Sequence, residues 1–325
     1  MTATQSTQVP EAPVATPTPA APRRRLADRE GALAWVFLMP SVAYIILLVA
    51  VPFALAIGFA FSDVTAGDPS FDWVGLRNFE RTFDDPVFWR SLGNTLVFTG
   101  VSMVLIVLLG KVLANILVAN FRGKWLVRFL VLLPWTTPVA LSSIAWLWLL
   151  DSIFSPIDWV LREIGLLGQE GAALGAASNL YWLGKPDLAM VSVIAVHVWR
   201  ITPLAAVIMM AGIVAIPRDL EEAAQVDGAG YWRRMFEITI PMVLPVAAVA
   251  ALFGVVFTFT DFAVVDVLTR GGPNNSTQVL TSWAFFRGIE GGDIGQGAAT
   301  ALFMFPILLA AAIAILRAVR RMEVR

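Results

Sequence analysis

Long apolar stretches separated by polar segments dominate this chain. Six of them are long enough to cross a bilayer: roughly Leu33–Phe61, Thr95–Ala119, Leu126–Leu150, Leu188–Ala215, Val243–Phe262 and Ala298–Ala318. A helix needs about 20 mostly apolar residues for that crossing. Prolines and glycines lie inside them, among them Pro40, Pro134, Pro138, Pro203, Gly110 and Pro306. Membrane helices tolerate such breakers because neighbouring helices re-satisfy the freed backbone groups. None of the stretches alternates like the strand of a membrane barrel. The pattern predicts an all-α membrane protein with six transmembrane helices.

Charge between the stretches sets orientation. With the N-terminus inside, the inner segments hold fourteen of the 23 basic residues, and the longer outer segments hold seven. The positive-inside rule then places both termini in the cytoplasm. The remaining two cations, Lys111 and Arg200, fall within spans. Lys111 is expected to snorkel or pair within the bundle, and Asn115 to bond between helices. Trp146 and Trp148 read as interfacial belt residues. The outer loops, about Ser62–Asn94, Asp151–Asp187 and Ala263–Gly297, are long enough either to meet an external protein or to cap the bundle. In the second, Ser155–Leu167 has helical spacing with Pro near its start, which predicts a short helix at the membrane surface.

Composition agrees with a lipid-facing surface, because only 14% of residues are charged against 58% hydrophobic, where a soluble domain carries about a quarter charged. Residues 1–30 begin Pro-, Ala- and Thr-rich, without the apolar core of a signal peptide, and read as a disordered cytoplasmic tail. Residues 31–325 form the membrane domain. The net charge of −1 offers no basic face for nucleic acid. There is no cysteine and one histidine, His197, which excludes disulfides and Cys- or His-cluster metal sites. The same poverty leaves a membrane-embedded enzyme with little acid–base equipment.

The most informative polar segment lies between the fourth and fifth spans, residues 216–245. Pro217 is placed to begin a helix, with Asp219, Glu221 and Glu222 in its first turns, where carboxylates favour the positive dipole end. Ala223 and Ala224 leave a face with little bulk, and Gly228 can stop the helix in a left-handed conformation. A second short helix is predicted through Tyr231–Glu237, before Pro241 and Pro245 open the next span. The result is a compact helix–turn–helix projecting from the membrane.

Glu222-Ala223-Ala224, Gly228 ten residues before Ile238, and Ile240-Pro241 together resemble the "EAA" motif of permease subunits of ATP-binding-cassette (ABC) importers. Asp227-Gly228-Ala229 fits as well. The family has Leu where Ile240 stands. The resemblance implies that about 216–242 is the loop that docks in a cleft of an ATPase subunit, through Glu222, Ala223, Ala224, Asp227, Gly228 and Pro241. Further segments are similar to sugar permeases of the kind represented by the larger pore subunit of the maltose transporter: Val74–Phe79, Phe88-Trp89, Asn94-Thr95, Leu133-Pro134, Trp199-Arg200 and Leu268–Pro273. They cover nearly everything after residue 30 and suit a minimal six-span type I importer permease.

No Gly-x-x-x-x-Gly-Lys-Ser/Thr loop occurs in the sequence, so the chain itself lacks a phosphate-cradling motif. The resemblance therefore implies partners: cytoplasmic ATPase subunits that bind ATP and Mg, a second homologous permease, and an extracytoplasmic sugar-binding protein. This chain is expected to hold no cofactor. Its implied work is to pass a mono-, di- or oligosaccharide through a bacterial inner membrane. The alternatives are the same architecture carrying glycerol phosphate, polyamine, peptide or another small polar solute, and a secondary transporter, for which no internal repeat is evident.

Polar groups inside spans need a reason. Asp261 follows Thr258 and Thr260, with Phe257 and Phe262 interleaved, a mixture suited to sugar hydroxyls and apolar ring faces. It equally suits an Asp that caps a helix or pairs with Arg200. His197, Trp199 and Arg200 form a second candidate group for the substrate path, although a lone buried His is usually satisfied by the protein itself.

Overall fold

A computed structural model of the chain describes residues 30–323 apart from Pro69. The expected N-terminal tail up to residue 29 lies outside the described residues, as do the last two residues. Among the described residues the regular structure is helical, and the β pairing is an isolated bridge between Ser62 and Trp73. Packing divides the chain at Ala54–Leu55. The first part holds α1 (Glu30–Ile45), with Pro40 inside it, and a π-helical turn at Ile46–Ala50. α2 (Val51–Ala60) completes an apolar stretch, Leu33–Ala60, of 28 residues.

The second part contains α3 (Arg77–Phe83), α4 (Pro86–Val118), α5 (Lys124–Thr136), α6 (Val139–Leu149) and α7 (Pro156–Glu163), followed by α8 (Pro186–Val214), α9 (Arg218–Val226) and α10 (Tyr231–Arg234). α11 (Ile240–Phe259), α12 (Ala263–Thr269), α13 (Leu280–Phe285) and α14 (Ile294–Glu323) complete it. Five stretches among the described residues are long and apolar enough to cross a membrane, and six if α5 and α6 count as one crossing.

That last pair corrects one expectation. Leu126–Leu150 is not one straight span, because α5 and α6 meet at 98°. The break sits at Thr137, which is extended (φ −75°, ψ 135°) ahead of Pro138. Proline disfavours helical backbone in the residue before it. α5 then packs on α8, and α6 on α12.

The other differences are at the ends. Asp85 accepts from the Val87 amide at 2.9 Å with Pro86 in the first turn, so α4 starts well before Thr95 and takes in Arg90 and Asn94. The predicted surface helix appears as α7, capped by Ser155, whose hydroxyl accepts from the Asp158 amide at 3.2 Å. The segments expected on the outer side are not bare connections, since they carry α3, α12 and α13.

α8 is the centre of this second part. Its most apolar window is 61% buried, against 28% in α4 and 11% in α14. α4, α5, α11 and α12 all pack against it. Small residues allow the closest approaches. A Cβ on Gly110 of α4 would lie 3.0 Å from the Ala205 Cβ of α8, and one on Gly212 of α8 would lie 3.0 Å from Val246 Cβ of α11. Membrane helices, lacking a hydrophobic drive toward each other, associate through such tight contacts. Three buried threonine hydroxyls lie against their own helix. Thr95 and Thr202 donate to the carbonyls four residues back at 2.7 and 2.6 Å, and Thr258 Oγ1 lies 2.6 Å from the Gly254 carbonyl. Asn115 behaves similarly: it accepts from Lys111 Nζ at 2.7 Å within α4, rather than bonding between helices as its position suggested.

Candidate functional site

The polar residues singled out from the sequence separate into two places, and the first is a buried cluster joining α8 to the end of α11. His197 of α8 is 0% exposed, and its Nε2 lies 2.8 Å from Thr258 Oγ1 of α11. Its Nδ1 lies 3.3 Å from Asp261 Oδ2, without hydrogen-bond alignment. Arg200, one turn further along α8, donates to the same Oδ2 at 2.5 Å. The other carboxylate oxygen accepts from the Val264 amide at 2.9 Å and so satisfies a free donor in the first turn of α12. The Asp261 carbonyl accepts from Thr281 Oγ1 at 2.8 Å. Thr258 has one hydroxyl proton. It either donates that proton to Gly254 O and accepts from Nε2–H, or donates to Nε2 and leaves Nδ1–H toward Asp261.

Asp261 thus does both things that the structural reading of the sequence offered, pairing and capping, and only 7% of it is exposed. A carboxylate held at both oxygens inside the protein has little capacity left for a sugar hydroxyl. The aromatic residues do not gather around it. Phe262 packs on Phe285 of α13 with centroids 4.7 Å apart. Phe257 meets Trp135 of α5 edge-on at 5.5 Å, and Trp199 meets Trp146 of α6 edge-on at 5.4 Å. Thr260 bonds back to Val256 O at 2.7 Å. Trp199 and Phe257 keep 39% and 36% of their surface exposed, and Thr260 is exposed too. These three, unlike His197 and Asp261, are exposed on the surface of the chain.

The second place is the segment after α8. α9 runs through Glu222, Ala223 and Ala224 and stops at Asp227, with Gly228 at φ +78°. The Gly228 amide donates to Gln225 O at 3.0 Å and the Ala229 amide to Ala224 O at 2.9 Å. This double bond is a Schellman ending, which needs a left-handed residue and therefore selects glycine. α10 follows, then a π-helical turn at Met235–Thr239 that leads into α11 with Pro241 at its start. Glu222, Ala223, Asp227, Gly228 and Pro241 are all exposed, and Ala224 is half-buried. α9 and α10 form an exposed pair of short helices, with Ala223 and Glu222 on the surface of the first.

Sequence reading did not find the anchors of the segments expected on the outer side. Asn94 donates to Gln278 O at 2.9 Å, Thr95 accepts from the Leu280 amide at 2.9 Å, and Asn78 donates to Ser62 O at 2.7 Å. Asp158, fully buried, accepts from Trp182 Nε1 at 2.8 Å and the Leu180 amide at 3.1 Å. Each pairs residues far apart in sequence, and a polar residue near a loop carries no local mark of such a partner.

Comparison with known proteins places this architecture. A family model described as binding-protein-dependent transport system inner membrane component matches residues 106–324. The permease protein of the sulfoquinovosyl glycerol transport system of Agrobacterium fabrum is 30% identical over 290 residues, which are 89% of this chain and 90% of that protein. The trehalose/maltose transport system permease protein of Thermococcus litoralis is 30% identical over 293 residues, 90% of this chain and 95% of that one. In fold, the chain is similar to one from the crystal structure of a bacterial ABC transporter involved in the import of the acidic polysaccharide alginate. The TM-score is 0.74 at 22% identity, over 89% of this chain and 95% of the other.

Proposed function

We propose, for a chain that belongs to the binding-protein-dependent transport system inner membrane component family, that it is a pore-forming permease subunit of an ATP-driven importer that passes a saccharide into the cell. Its membership makes it a multi-pass helical protein of the inner membrane. The observation that carries the reading is the exposed α9–Gly228–α10 element, in a chain with enough apolar helix for six crossings. The relatives named for trehalose, maltose and sulfoquinovosyl glycerol transport support a sugar or glycoside as cargo.

In this reading, Glu222, Ala223, Ala224, Asp227, Gly228 and Pro241 form the surface that a cytoplasmic ATPase grips. The charge of the inner segments puts that surface, and both termini, in the cytoplasm. ATP and Mg belong to the ATPase, since this sequence has no phosphate loop. A second permease completes the pore, and an extracytoplasmic binding protein delivers the sugar to the outer segments. Within the path, Trp199, Phe257 and Thr260 offer stacking faces and a hydroxyl. His197, Arg200 and Asp261 hold the two helices that carry them, while Phe262 secures α13. Arg200, neutralised by Asp261, is poorly placed to recruit an anionic cargo.

The test is reconstitution. The full chain is co-expressed with its neighbouring ATPase, second permease and binding protein, and placed in proteoliposomes with a panel of labelled sugars that includes trehalose and maltose. Uptake that needs both ATP and the binding protein is the expected result. Uptake that runs on an ion gradient without ATP would overturn it.

A further inference from the structure

A cavity of about 360 Å3 opens where the end of α4 meets α10, lined by Lys111, Asn115, Val118, Tyr231, Arg234 and Thr239. Two of these carry positive charge, and no carboxylate lines the cavity. Lys111 Nζ donates to Asn115 Oδ1, and Arg234 Nε is buried without a hydrogen-bond partner. The ion pairs among the described residues use Arg81, His197, Arg200, Arg233, Arg270 and Arg287, but neither Lys111 nor Arg234. The carboxylate nearest in sequence, Glu237, is already held by Arg233 at 3.0 Å.

The depth of the site sharpens the question. Lys111 lies seven residues before the last residue of α4, so its backbone is about 10 Å inside the helix end at 1.5 Å per residue. Two unneutralised cations there are costly, and a mobile counter-ion from water is a poor remedy in a partly apolar pocket. A phosphate group meets the need. It offers several acceptor oxygens to an Arg fork and a Lys point charge. The Asn115 amide nitrogen and the hydroxyls of Tyr231 and Thr239 add neutral donors, while Val118 and Ile213 supply an apolar side.

We propose that this cavity is a seat for a phosphate-bearing anion, either the headgroup of an anionic phospholipid or free phosphate, that bridges α4 and α10. An anion bound there ties the docking segment to the bundle through Arg234 and Tyr231. The seat is independent of the sugar path and of the cargo.

The experiment is native mass spectrometry of the purified full chain in detergent micelles, titrated with phosphatidylglycerol, phosphatidylcholine and inorganic phosphate. One phosphatidylglycerol should stay bound where phosphatidylcholine does not. Lys111→Gln and Arg234→Gln should each weaken that binding by about tenfold, the effect of losing a charge-assisted contact. Lys124→Gln, at an exposed lysine bonded to Asn120, should leave it unchanged. Displacement by millimolar inorganic phosphate assigns the seat to the phosphate group alone, and retention against it assigns the seat to the lipid. Equal retention of the two lipids by the unmodified chain, with no phosphate bound, would overturn the proposal even if a glutamine variant failed to fold. So would unchanged binding in both glutamine variants with melting temperatures like that of the unmodified chain.

Discussion

Arg200 and Asp261 meet at 2.5 Å across the packing of α8 against the end of α11, with side chains only 16% and 4% exposed. The pair sits beside His197 and fixes the start of α12 through the Val264 amide. It joins three helices at one carboxylate. Removing that carboxylate leaves a largely buried guanidinium and an unsatisfied helix start.

Asp261→Ala should therefore lower the stability of the chain by about 2–3 kcal/mol, the scale of a lost charged hydrogen bond with its partner stranded. Thermal unfolding in detergent reads the change. Thr260→Val, which removes an exposed hydroxyl that only bonds back along its own helix, should leave the melting temperature nearly unchanged. Equal melting of the two variants would contradict the bracing role.

Gly228 has φ +78°, and a Cβ there would meet nothing within 4 Å. The cost of Gly228→Ala is therefore backbone strain alone, about 1–2 kcal/mol, placed on the ending of α9. Membrane insertion should be preserved with at most a small fall in melting temperature, while ATP hydrolysis by the reconstituted complex becomes uncoupled from sugar uptake. Normal uptake per ATP in that variant would remove the docking role from this turn.

Two glycines of α4 should part company. Gly110→Val drives a side chain into Ala205, and overpacking of this kind costs about 1–3 kcal/mol. Gly100→Val points into open space and should be tolerated. Size-exclusion profiles and melting temperatures of the two variants, side by side, make the comparison.

Asp151, outside the spans, accepts from the amides of Phe154 and Ile153 at 2.8 Å each. Those bonds, the Phe154 amide first, hold its carboxyl below the ordinary range. A lowered carboxylate contributes order that is complete above its unfolded pKa and is lost as pH falls through the folded value. The amides of Ile153 and Phe154 should accordingly lose hydrogen-exchange protection below the ordinary carboxylate range, after correction for the intrinsic pH dependence of exchange. Asp151→Asn should show less protection at neutral pH and no such step.

Much of the fold was legible because hydropathy adds over about 20 residues and survives local irregularity. The Gly228 turn was legible for another reason, since a left-handed helix ending leaves a residue-level mark. The bend at Thr137–Pro138 was not. Pro40, Pro203 and Pro306 stay inside helices, so a proline by itself does not announce a break. What differs at Pro138 is that α5 and α6 have separate partners, α8 and α12. Asp261 was equally ambiguous, because a carboxylate near aromatic residues fits a sugar site and a brace alike. The pairing with Arg200 and the cap on Val264 came only from the tertiary structure.

The sequence by itself determined where the apolar stretches lie, the segments in which basic residues collect, and the turn at Gly228. These follow from sums along the chain or from one residue's backbone freedom. The tertiary structure alone decided which polar groups are spent inside the protein and which remain presented, Asp261 and His197 on one side, Trp199, Phe257 and Thr260 on the other. It also brought Lys111 and Arg234 into one cavity, from positions more than a hundred residues apart. Pairing of that kind depends on how helices cross, which no local pattern encodes.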